Sequence, residues 1–141
     1  MTRYLLDTSF CVHFIRGQAW ARTALGRLQA TDVAVSAVTV GELYEGAFHA
    51  VAPSKELSKV EAFLDPLDVV PFCREEAIQW GRIEAQLRKQ GNPIEAEDGM
   101  IAATALAHAF RLVSSNLRHF ERVKGLDVVD WETHPPKAHR G

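Results

Sequence analysis

The chain has 141 residues, 47% of them hydrophobic and 24% charged, with a formal net charge of −2. That length suits one domain able to bury its own core without disulfides or structural zinc, and the composition excludes a disordered, collagenous or coiled-coil chain. The near-neutral balance also removes the electrostatic case for a broadly basic nucleic-acid module, so any role on RNA or DNA must rest on a local site.

No stretch reaches the roughly 18 apolar residues of a membrane span. Met1-Thr2-Arg3 runs straight into a strand-like Tyr4-Leu5-Leu6 without a signal-peptide pattern, so a cytoplasmic protein with no membrane partner is expected. Cys11 and Cys73 both stand in apolar runs and predict two buried thiols in a reducing compartment rather than a disulfide or zinc frame.

Taken in order, Tyr4-Leu5-Leu6 predicts a strand ending at Asp7-Thr8-Ser9, followed by a helix through Phe10, Val12, Phe14 and Ile15 that Gly17 stops. A second helix is expected over Ala19–Gln29 and a second strand over Val33–Ser36. Thr39-Val40-Gly41-Glu42 has the form of a capping box opening a third helix. Ser54–Leu64 predicts a helix that Pro66 closes, then a third strand over Asp68–Phe72 and a helix over Arg74–Lys89. Gly91 and Pro93 read as stop and restart, with Pro93 opening a helix over about Ile94–Ala109 that carries a small-residue face. Arg111–Ser114 predicts a fourth strand, Asn116–Glu121 a loop or short helix, and Asp127–Val129 a last strand. Residues 1–132 form one domain in this reading, and residues 133–141 a disordered tail. The basic positions 137–140 in that tail read as solvated.

Short apolar strands separated by helices predict an α/β fold with a central, mainly parallel sheet of four to five strands between helical layers. Such sheets bind ligands at the carboxyl ends of their strands. Asp7, Glu42 and the Ser114-Ser115-Asn116 segment all fall at that rim, and Asp98 lies in the first turns of the small-residue helix. Singly, Asp7 reads equally as a helix cap and Glu42 as a capping-box partner. Jointly, three acids at the edge of a core fit a hard divalent cation serving a phosphate substrate. No phosphate-binding loop, dinucleotide fingerprint, zinc-protease motif or serine-hydrolase elbow competes. A phosphoacceptor receiver domain would need an N-terminal acidic pair and a late Lys at a strand end, and the chain has neither. His13, His49 and His108 read as packing or surface residues, whereas His119 falls on the proposed rim.

The set Leu5-Leu6-Asp7-Thr8-Ser9, Val40-Gly41-Glu42-Leu43, Asp98-Gly99-Met100-Ile101-Ala102-Ala103-Thr104-Ala105 and Leu112-Val113-Ser114-Ser115-Asn116-Leu117-Arg118-His119-Phe120, in this order, resembles the PIN-domain family over about residues 3 to 132. More narrowly it resembles the VapC toxins of type II toxin–antitoxin systems. The resemblance implies an endoribonuclease dependent on Mg²⁺ or Mn²⁺ that cuts structured RNA, often tRNA. It also implies a homodimer and a hetero-oligomer with a VapB antitoxin. Carried onto this chain, Asp7, Glu42 and Asp98 are metal ligands or water-orienting acids and Asn116 completes the catalytic set, with Thr8, Ser114 and His119 in support. Asn116 and His119 stand where relatives often have acids, so an RNA-binding or scaffold module without catalysis is the alternative, and the imidazole would contact phosphate. Phe10, Phe14, Trp20, Leu43, Tyr44 and Phe48 are the apolar helical residues that could receive an antitoxin.

Overall fold

The computed structural model describes residues 2–138; the expectations for positions 139–141 of the tail lie outside the described residues. Five strands form one sheet: β1 (Tyr4–Leu6), β2 (Val33–Ser36), β3 (Asp68–Val70), β4 (Arg111–Val113) and β5 (Val128–Val129). Their order is β3-β2-β1-β4-β5 and every pairing is parallel. The expected parallel α/β sheet is therefore present. Between the strands run α1 (Thr8–Ile15), α2 (Ala19–Gly26), α3 (Ala37–Phe48), α4 (Pro53–Leu64), α5 (Arg74–Lys89), α6 (Ala96–Ala107) and α7 (Leu117–Glu121).

Strands buried on both faces need no alternation of polar and apolar residues, and all four residues of β2 are buried. Alternate side chains leave the sheet on opposite faces, which divides the core. Leu6, Val33, Val35 and Val113 pack with α1 to α4, while Leu5, Ala34 and Leu112 pack with α5 and α6. Tyr4, Phe10, Trp20 and Trp131 meet edge-on with ring centroids 5.1–5.8 Å apart, closing the first of these layers.

Several boundaries differ from expectation. α2 ends at Gly26, and Ala30–Asp32 forms a separate 3₁₀ turn in which Asp32 accepts from the Gln29 amide at 2.8 Å. α3 begins at Ala37, because the Ser36 hydroxyl already accepts the Thr39 amide at 3.1 Å. Thr39 is thus inside the helix, and Glu42 is not a capping-box partner. α6 begins at Ala96 rather than beside Pro93. The Pro93 carbonyl instead accepts from Arg122, at the end of α7.

Cys11 is buried as expected, but Cys73 is exposed. It sits at the N-cap of α5, where its sulfur caps the Glu76 amide and Glu76 in return accepts the Cys73 amide at 2.7 Å. A capping position lies at an element boundary and so at the surface, whatever its apolar neighbours. Among the described residues beyond Trp131 there is no regular element, yet Pro136 is buried and its carbonyl accepts from Arg27 at 3.0 Å. No helix among the described residues is long and apolar enough to cross a membrane.

Candidate metal centre at the carboxyl ends of the strands

Asp7 follows β1 directly and caps α1, accepting the Phe10 amide at 2.9 Å and the Ser9 hydroxyl at 2.7 Å. It is only 3% exposed. Burial pushes its carboxyl up to about 6; hydrogen bonds from Ser114, the Phe10 amide and Ser9 oppose that rise, and the nearby Asp98 charge adds to it. A helix cap explains one oxygen of Asp7 but not the absence of a cationic partner for so dehydrated an acid.

Glu42 lies in the second turn of α3, where the Thr8 hydroxyl donates to its Oε1 at 2.6 Å. The Thr8 oxygen is also 3.1 Å from that of Thr39, which is 3.3 Å from Ser36. A run of hydroxyls thus ties the start of α1 to the start of α3 and holds Glu42 at the rim. Burial again raises this carboxyl; the Thr8 hydrogen bond works against it, and the charges of Asp98, Glu97 and Glu45 add to it. The Asp98 charge therefore bears on both other acids from the start of α6.

Asp98 stands in the first turn of α6, its Oδ2 3.2 Å from His119 Nδ1. Ser114 is buried after β4 and its oxygen accepts the Asn116 amide at 2.9 Å. The Ser115 amide reaches the Ser9 oxygen at 3.3 Å. Asn116 is exposed at the N-cap of α7 and its side chain caps nothing. Every residue expected at the site is thus at this end of the sheet, with Thr8, Ser114 and His119 bonded to its acids or to its loop.

Among the described residues, no Lys or Arg ion pair reaches Asp7, Glu42 or Asp98. Two carboxylates each repelled by that of Asp98, with none of the three paired with Lys or Arg among the described residues, match the donor chemistry of Mg²⁺ or Mn²⁺. Their oxygens do not all lie within 4.8 Å of one another, whereas the ligand atoms of Glu75, Glu76 and His108 do. Ligands on opposite sides of such an ion stand only about 4.2 Å apart, so direct bonds from part of the set, with water bridging the rest, suit this pocket.

The cluster of Glu75, Glu76 and His108 was missed by sequence reasoning. His108 Nε2 meets Glu76 Oε2 at 2.6 Å. The residues lie 32 positions apart, and no local pattern joins them. Antiparallel packing of α5 on α6 brings them together at the end of α6 away from Asp98. Gly99 assists that packing: a Cβ there would stand 3.3 Å from Trp80 Nε1 and 3.4 Å from Glu84 Oε1.

The sheet order β3-β2-β1-β4-β5, its helical layers and the acids beyond the strand ends define a parallel α/β protein with a candidate cation site at one rim. The chain belongs to the PIN domain family, whose model matches residues 4–126. It is 34% identical over 131 residues to the "tRNA(fMet)-specific endonuclease VapC" of Salmonella typhimurium, covering 93% of this chain and 99% of the relative. It is 36% identical to "Ribonuclease VapC2" of Haemophilus influenzae over the same shares. The toxin in the crystal structure of DNA-bound VapBC from Salmonella typhimurium superposes with a TM-score of 0.88 at 34% identity, covering 93% of this chain and 99% of that one. VapBC2 from Rickettsia felis, bound to a promoter DNA fragment, gives 0.87 at 27% identity, covering 92% and 99%.

Proposed function

We propose that this chain is the toxin of a type II toxin–antitoxin pair, an endoribonuclease dependent on Mg²⁺ or Mn²⁺ whose substrate is structured RNA, with tRNA as the class. The observation that carries the reading is the gathering of Asp7, Glu42 and Asp98 at one rim without a Lys or Arg partner. The names of the relatives support nuclease activity and the tRNA class. A cation bound there supplies positive charge that acidifies a water and neutralises phosphodiester oxygens.

The chain's own residues supply position. Asp7 Oδ1 is fixed by the Phe10 amide and the Ser9 hydroxyl, which sets the orientation in which the carboxylate would meet a cation. Glu42 is held by Thr8, leaving Oε2 to orient water. Asn116, exposed at the mouth, offers an uncharged amide to the RNA backbone. No nucleophile from the protein is required.

The partner is a VapB-type antitoxin, as the VapBC complexes among the structural neighbours suggest. Of the apolar residues expected to receive it, Phe10 and Leu43 are core, Phe14, Trp20 and Tyr44 are half-buried and Phe48 is exposed. A groove between α1, α3 and α4, lined by Val12, Ile15, Leu43 and Val51 and reaching Glu42, is the corresponding surface. Homodimerisation and cytoplasmic location belong to the same proposal.

The test is cleavage of a total tRNA pool by purified protein with Mg²⁺, Mn²⁺ or EDTA, beside Asp7→Ala. Metal-dependent cuts at discrete positions that vanish in the variant support the nuclease. Binding without cutting would instead favour a scaffold, the reading that Asn116 and His119 motivate in place of further acids.

A further inference from the structure

The acidic rim contains one nitrogen. His119 Nδ1 stands 3.2 Å from Asp98 Oδ2, with the ring 40% and the carboxylate 27% exposed. A charge-assisted hydrogen bond between such groups closes to about 2.7–2.9 Å, and His108 and Glu76 elsewhere in this molecule close to 2.6 Å. Two ligands at right angles on an ion with bonds of about 2.1 Å stand about 3.0 Å apart. The Asp98–His119 separation is that of an ordinary hydrogen bond and also within about 0.2 Å of that edge, so a cation can take the place of the shared proton with little movement of either side chain.

The imidazole is also held in place. Phe120, the next residue, is fully buried. Arg122 donates to the Pro93 carbonyl, tying the end of α7 to the segment that leads into α6. α7 is therefore fastened to the segment that leads into the helix carrying Asp98, and both side chains of the pair remain partly exposed to solvent.

We propose that His119 is a metal ligand which, with Asp98, forms a mixed nitrogen–oxygen edge of the cation site and biases it toward Mn²⁺ over Mg²⁺. The inference rests on the reading of the acidic rim as a cation site. Mg²⁺ is served by oxygen, whereas imidazole nitrogen favours the transition metals. In the ligating tautomer the proton resides on Nε2 and the Nδ1 lone pair replaces the contact to Asp98. Asp98 then binds through Oδ2, and water fills the remaining positions.

The experiment is calorimetric titration of the metal-free full chain with Mn²⁺ and, separately, Mg²⁺, for the wild type, His119→Ala and His119→Gln. Electron–nuclear double resonance on the Mn²⁺-loaded proteins reads nitrogen bound to the ion, and metal-free melting confirms that each variant is folded. Loss of His119 should weaken Mn²⁺ by about tenfold or more and Mg²⁺ by less than about threefold. A ¹⁴N coupling should be present in the wild type and absent from both variants. Equal weakening of the two metals, or no ¹⁴N coupling in the wild type, would overturn the proposal while leaving the oxygen site in place. Failure of the wild type to bind either metal would overturn both it and the cation-site reading.

Discussion

At one end of α6, His108 meets Glu76 at 2.6 Å, and the carboxylate is 3% exposed with its other oxygen taken by the Cys73 amide. Ten residues back, about 15 Å along the helix, Asp98 and His119 stand 3.2 Å apart and open to solvent. The same two chemistries serve opposite ends. Where both carboxylate oxygens are engaged inside the protein, the pair fastens α5 to α6. Where lone pairs are left over beside two further acids, the pair is available to a ligand. Proton affinity separates them as well. Burial alone would push Glu76 up, but the Cys73 amide and His108 outweigh it and hold it below the usual range. Asp7, with no cationic partner, is pushed up to about 6 by burial.

The largest expected effect breaks the open end. Asp98→Ala should reduce metal-dependent RNA cleavage by about a thousandfold, since several kcal/mol of charge stabilisation depend on a held cation and each 1.36 kcal/mol is a factor of ten. Its far-UV circular dichroism should match the wild type; undiminished cleavage would remove Asp98 from the site. Next in size is the closed end. Glu76→Ala leaves the partly buried Cys73 amide and His108 without their acceptor and should cost about 2 kcal/mol of folding stability, read by urea denaturation. Cleavage per folded molecule should be unchanged, and a catalytic loss as deep as that of Asp98→Ala would erase the distinction between the two ends.

The two acids also predict opposite pH dependence in metal-free protein. A folded pKa of about 6 for Asp7, above the ordinary aspartate value of 3.8, means the native state binds more protons between those values. Stability therefore falls as pH rises from about 4 to 6 and stays lower above it. Asp7→Asn should abolish that fall and be about 2 kcal/mol more stable than wild type at pH 7, while losing cleavage. Glu76 contributes the reverse: its folded pKa is lowered, so its stabilisation is present above the unfolded value and lost as pH drops through the folded one. Denaturant midpoints from pH 3.5 to 8, with and without EDTA, check both signs. The smallest effect belongs to a surface pair on α5. Arg88 lies 3.8 Å from Glu84 and is 79% exposed, so Arg88→Ala should change stability by less than about 0.5 kcal/mol and cleavage not at all.

These two ends were not equally legible in the sequence. Asp7 was placed by a local rule: an apolar triplet ending in an acid, followed by helical periodicity, can only put that acid at a strand's carboxyl end. The alternation of strands and helices then fixed a parallel sheet and brought Glu42, Asp98 and Asn116 to the same side. The capping-box reading of Glu42 failed because Ser36 and Thr39 both offer a cap three residues apart, and only the length of β2 decides between them. Cys73 was misjudged because hydropathy of a run does not distinguish a strand from the boundary after it. The Glu76–His108 pair was invisible, since each residue alone resembles solvated helix surface and only antiparallel packing of α5 on α6 joins them.

β1 lies at the centre of the sheet, and the Asp7 amide extends its ladder by donating to the Val113 carbonyl at 3.0 Å. That amide is released to solvent deuterium only when the central strands separate, whereas the five-residue α7 can fray alone. Asp7 should therefore exchange at the rate of global unfolding and His119 orders of magnitude sooner. The pocket thus joins a carboxylate beside the most protected strand to an imidazole on a short helix that Phe120 and Arg122 anchor.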